Sequence, residues 1–143
     1  MVTWVDGAIS DPAPASDAAV RAAEDQLRVD LPADFLAIAR TRQGARPEPA
    51  GIDLPNGFGT AVANLLHFED QPFVSNIVAA RFPVAESLDK GVIPFAADVG
   101  GDLFCFSYRD DYDNPPVVFW SVDWGTLPLA PSFSAWVEML RDS

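Results

Sequence analysis

The chain has 143 residues, 49% of them apolar and 21% charged, with a formal net charge of −12 and a pI near 4.1. That length suits one domain around one core, and the composition is that of a globular chain rather than a disordered one. Such acidity excludes the counterion-displacing grip on nucleic acid and disfavours anionic membranes; it would steer in a basic protein partner, and it also favours solubility.

The opening stretch, "MVTWVDGAISDP", has no basic region and no long apolar segment, so it does not read as a secretory signal. Residues 1–15 are expected to be a loosely ordered lead-in in which Trp4 and Val5 dock on the core, and residues 16–143 a single domain. Ser16 is placed to N-cap a helix from Asp17 to about Arg28, with Asp17 favourable at the positive end of the helix dipole. Val20, Ala23 and Leu27 supply its apolar stripe. "VDLP" interrupts the pattern, and Pro32 suits the start of a second helix running to about Arg42. There Phe35, Leu36 and Ala39 face inward and Gly44 marks the stop.

Ala45 to Gly51 reads as a loop and Leu54 to Gly59 as a turn. Ala61 to Phe68 fits a strand, with a helix as the alternative. Ser75 is positioned to cap a short helix over Asn76 to Arg81. Three strands follow, Val92 to Ala97, Leu103 to Tyr108 and Val117 to Val122, rich in Val, Ile, Phe and Tyr. Ser132 caps a closing helix through about Leu140 that carries Phe133, Trp136, Val137 and Leu140 on one face. Helices at both ends and strands between them predict an α+β fold with a mostly antiparallel sheet.

The chemistry on offer is narrow. One cysteine, Cys105, rules out an intramolecular disulfide and a cysteine zinc cluster, and one histidine, His67, rules out a two-histidine metal site. Any Ser-His-Asp or Cys-His machine would have to use His67. His67 in "NLLHFED" and Cys105 in "LFCFSY" both read as structural residues, Cys105 as an inert buried thiol. No apolar run approaches the roughly 20 residues that span a bilayer.

The sharpest question is the loop Asp98-Val99-Gly100-Gly101-Asp102 between two strands. A phosphate cradle is disfavoured, because a strand rather than a helix follows and two carboxylates would repel the ligand. A metal site could recruit Asp98 and Asp102, with Asp110, Asp111 and Asp113 of the nearby "RDDYDN", but the spacing is not that of a calcium loop. A carboxylate pair for acid–base work would need a buried member with a raised pKa. A tight turn accounts for the same residues: glycine adopts positive φ freely, and Asp accepts hydrogen bonds from turn amides. No catalytic residue, metal or cofactor is therefore assigned. Phe119 and Trp120 alternate onto opposite faces, so Trp120 is a partner anchor if it points away from the core and packing if it points inward.

"LRVDLPADFLAIARTRQGARP", the hairpin "GVIPFAADVGGDLFCFSY", the strand "PPVVFWSVDWG" and the closing "SFSAWVEML" together resemble the SUKH superfamily over about Asp17 to Leu140. Departures are a lone glycine in "RTRQGARP" and Ser107 where an Asp is common. The resemblance implies helices packed on a curved, mostly antiparallel sheet, and a protein-binding module rather than an enzyme. Bacterial members are widely regarded as immunity proteins that neutralise toxin domains, often nucleases, and a fungal relative takes part in regulating cell-wall assembly. The expectation is thus a cytoplasmic immunity protein that binds a basic toxin domain, with no nucleic acid or membrane partner. Asp98, Asp102, Asp110, Asp111, Asp113 and Trp120 are the candidate contacts. The alternatives are a regulatory scaffold recruiting a cellular protein or peptide, and a carboxylate enzyme or metal protein.

Overall fold

The structure, a computed structural model, describes residues 2–69 and 76–142. Ser16 accepts a hydrogen bond from the Ala19 amide at 3.0 Å and so starts α1 (Asp17–Leu27). Val20, Ala23 and Leu27 are its buried face, and Arg28 closes it in the left-handed region with φ of 59°. Pro32 is the residue before α2 (Ala33–Ala39), whose Phe35 and Ala39 are buried. The Ser132 hydroxyl accepts from the Ala135 amide at 3.1 Å and starts α3 (Phe133–Glu138). One side chain ties the second helix to the third: Asp34 Oδ2 accepts from the amide and the hydroxyl of Ser134, at 2.9 and 2.7 Å. The amides of a helix start need such acceptors.

The strands form a six-stranded antiparallel meander in chain order: β3 (Gly51–Asp53), β4 (Gly59–Leu65), β5 (Val92–Asp98), β6 (Leu103–Ser107), β7 (Val117–Ser121) and β8 (Gly125–Ala130). The α+β expectation holds, and the three expected strands are β5, β6 and β7. Ala61 to Phe68 resolves in favour of a strand, which ends at Leu65. Pro94 has no amide to give the ladder, and the β5–β6 register shifts between Pro94 and Ala96.

Several elements differ from the sequence reading. The stretch read as a loose lead-in contains β1 (Thr3–Val5), which pairs antiparallel with β2 (Arg46–Glu48) inside the segment read as a loop. Trp4 does dock on the core, stacked on Phe133 with centroids 6.4 Å apart. β3 and β8 were not anticipated; β8 is an edge strand that carries Pro128, where a missing donor is tolerated. The expected helix over Asn76 to Arg81 is a 3-10 helix over Ala79–Val84 with Pro83 inside it, and Ser75 lies outside the described residues.

The larger surprise is that both faces of the sheet are covered. On one face Phe95, Phe104, Phe106 and Phe119 pack with Phe35, Phe133 and Trp136 from the helices. On the other, Val92, Leu103, Cys105, Val118 and Trp120 form a second cluster under Val84 and Leu88. Alternation assigns these residues to their faces correctly. What covers the second face is the end of the 3-10 helix, with Val84, and the connection after it, with Leu88, which carry little periodic signal.

Candidate protein-binding surface

In an antiparallel meander the β3–β4, β5–β6 and β7–β8 turns share one end of the sheet, and the β6–β7 turn lies at the other. The first three turns are tied together. Asp98 is 6% exposed. Its Oδ1 accepts from the amides of Gly100 and Asp102 at 2.9 and 2.7 Å, and its Oδ2 accepts from the Thr60 hydroxyl at 2.8 Å. The Val99 amide donates to Ala61 O at 3.0 Å. Gly101 has φ of +92°, which a side chain would strain. The loop is therefore a carboxylate-organised turn. Asp98 binds three donors of its own chain, and its carboxylate faces inward.

Asp102 and Asp123 ring the same end. Burial pushes the Asp102 carboxyl above the ordinary carboxylate range, the negative charges of Asp98 and Asp123 push it further, and a hydrogen bond with Ser121 partly offsets them. No ion pair among the described residues involves Asp98, Asp102 or Asp123. Asp53, at the end of β3, differs: Arg141 pairs with it and lowers its pKa through their hydrogen bond.

Beside these carboxylates lie apolar side chains that the sequence reading did not single out. Phe58, in the β3–β4 turn, is 61% exposed and Trp124, in the β7–β8 turn, is 43% exposed. Their rings stack at a centroid distance of 5.3 Å and an interplanar angle of 24°. The two residues flank opposite edge strands, so this contact shows how far the sheet curls. Val99, in the β5–β6 turn, and Val122, beside Trp124 in the β7–β8 turn, are 70% and 75% exposed. Solvated loops rarely hold that much apolar surface without a use for it.

The other candidates fall elsewhere. Asp110, Asp111 and Asp113 are exposed in the β6–β7 turn, so the fold does not bring them together with Asp98 and Asp102. Asp111 Oδ1 accepts from the Asp113 and Asn114 amides at 3.1 and 2.8 Å, an Asx turn. Tyr112 between them donates its hydroxyl to Arg28 O. Trp120 points away from the main core, the condition set for an anchor, yet it is 5% exposed because the second cluster covers it. Its indole is packing, and the exposed indole of this region is Trp124.

The two side chains from which nucleophilic chemistry could start are both withdrawn. Cys105 is fully buried and desolvation drives its thiol pKa upward, away from the reactive thiolate. His67 is buried as well, and desolvation lowers its pKa. It packs so tightly on Gly44, φ +69°, that a Cβ there would lie 2.0 Å from the ring Nε2. Among the described residues no three His, Cys, Asp or Glu side chains converge as a metal-holding group. No helix among them is long and apolar enough to cross a membrane.

No curated protein matches the chain. The SMI1 / KNR4 family (SUKH-1) matches residues 14–139, from just before α1 to the end of α3. The match covers both terminal helices, the whole meander and the turn organised by Asp98, and the chain belongs to the SMI1/KNR4 (SUKH-1) family.

Proposed function

We propose that the chain is a non-enzymatic protein-binding module of the cytoplasm, an immunity protein that neutralises a cognate toxin by direct binding. Family membership over residues 14–139 carries this reading. The burial of Cys105 and His67 supports a role without chemistry, since neither a reactive thiolate nor an accessible imidazole base is presented. The net charge of −12 directs the reading toward a basic toxin domain. Nucleases hold phosphate with basic surface, and an acidic inhibitor offers that surface a competing partner.

The test is binding of the purified protein to the C-terminal domain encoded by the upstream neighbouring gene, read by calorimetry and by stopped-flow association, at low and at high salt. Tight one-to-one binding is expected, with an association rate that falls by about tenfold or more as salt rises through the screening range. Absence of binding at either salt would remove the toxin as partner and favour recruitment of a cellular protein instead.

A further inference from the structure

We propose that the end of the sheet carrying Phe58, Trp124, Val99 and Val122 is the docking surface, and that its occupant is a protein face presenting an apolar side chain ringed by Arg or Lys. This inference rests on the protein-binding reading above and gives it a location. Three observations lead to it. First, four large apolar side chains are exposed on three turns of one end, two of them stacked on one another. A half-exposed Trp on a rigid base is the kind of side chain that dominates interface energies. Second, the base is rigid. The Asp98 hydrogen bonds and the Val99–Ala61 bond organise the β5–β6 turn and fix it to the first residues of β4, and the Phe58–Trp124 stack joins the β3–β4 turn to the β7–β8 turn. A preorganised surface loses little freedom on binding.

Third, the unpaired charge at this end is acidic, Arg141 being engaged by Asp53. Asp98 and Asp123 both repel the Asp102 carboxylate, and among the described residues none of the three belongs to an ion pair. An apolar centre with an acidic rim complements an apolar group with a basic rim. The opposite end has an acidic turn too, but there the Asp111 carboxylate is engaged by turn amides and the Tyr112 hydroxyl by the end of α1. Its one large exposed apolar side chain in that turn, Tyr112, is held against α1 through Arg28 O.

Two probes separate the location from the function. Two short peptides of equal charge are titrated into the labelled protein, one alternating arginine with leucine and the other arginine with serine, and backbone amide shifts are followed. The leucine peptide should bind about tenfold tighter, with shifts confined to 54–59, 98–102 and 121–125. The double variant Phe58→Ala/Trp124→Ala should erase that preference. Asp123→Lys, which keeps both rings, should weaken both peptides. Equal affinity for the two peptides, or shifts spread over other acidic surfaces, would overturn the surface whatever the protein's function is. The toxin domain is the second probe. Loss of about 100-fold or more in affinity on the double variant, with its thermal midpoint retained, supports the surface. Undiminished binding by both variants overturns it and leaves the immunity reading intact. A toxin domain that ignores the wild-type protein overturns the immunity reading, and the peptides then decide the surface.

Discussion

Phe35→Ala is expected to destabilise the domain by about 3–5 kcal/mol, a large share of the roughly 5–15 kcal/mol typical of a domain this size. Phe35 is the only large aromatic of α2 and is fully buried. Its ring meets those of Phe68, Phe95, Phe106 and Phe133 at centroid distances of 6.3, 5.5, 5.2 and 5.3 Å. These partners come from the β4–β5 connection, from two central strands and from the last helix. Truncation therefore opens a cavity where the separate elements converge, and close packing leaves little room for collapse. Urea unfolding reads the effect as a lower midpoint with an unchanged slope. Leu36→Ala, one position along and only partly buried, should cost clearly less. A loss below about 1 kcal/mol for Phe35→Ala would mean that the core is not organised around this ring.

Asp98→Ala should cost about 2–4 kcal/mol. The carboxylate satisfies two turn amides and the Thr60 hydroxyl, and its removal leaves those donors without their acceptor in a nearly buried site. Asp98→Asn should cost about half as much, since one amide oxygen still accepts from Gly100 and Asp102 and the hydroxyl can turn to accept from the new NH2. Asp102→Asn should cost nothing or stabilise slightly at neutral pH. The folded state raises the Asp102 pKa, so its favourable contribution is present only below the ordinary carboxylate range and is lost as pH rises through the folded pKa. Thermal midpoints of the three variants at neutral pH check the ranking. Equal effects at Asp98 and Asp102 would contradict the distinction between a turn-forming carboxylate and a repelled surface one.

Local rules carried much of the fold. Ser16 and Ser132 cap helices where a short polar residue precedes an apolar period, and β5, β6 and β7 are runs of β-branched and aromatic residues. β1, β2 and β3 are three residues each, too short for a period-two pattern, and exist because a distant segment pairs with them. Pro128 disguised β8. The family was legible in the hairpin and in the order of elements.

The site was only half legible. The turn was recognised from its glycines and aspartates, but the inward direction of Asp98 depends on Thr60, which reaches it across the sheet. Phe119 and Trp120 alternate onto opposite faces as expected, with Trp120 the one turned from the main core, and its burial depends on Val84 at the end of the 3-10 helix and Leu88 beyond it, which no periodic pattern marks. Phe58 and Trp124 are joined only because the sheet curls, and no local pattern encodes that approach. The acidic candidates were grouped by closeness in sequence, whereas a meander sends successive turns to opposite ends.

The central claim is that this protein protects by binding. The most direct measurement is growth of cells that express the neighbouring toxin domain with and without this protein. The account predicts arrest with the toxin alone, growth when the two are co-expressed, and co-purification of the two chains from the surviving cells. Arrest that persists when both proteins are soluble and folded would contradict it.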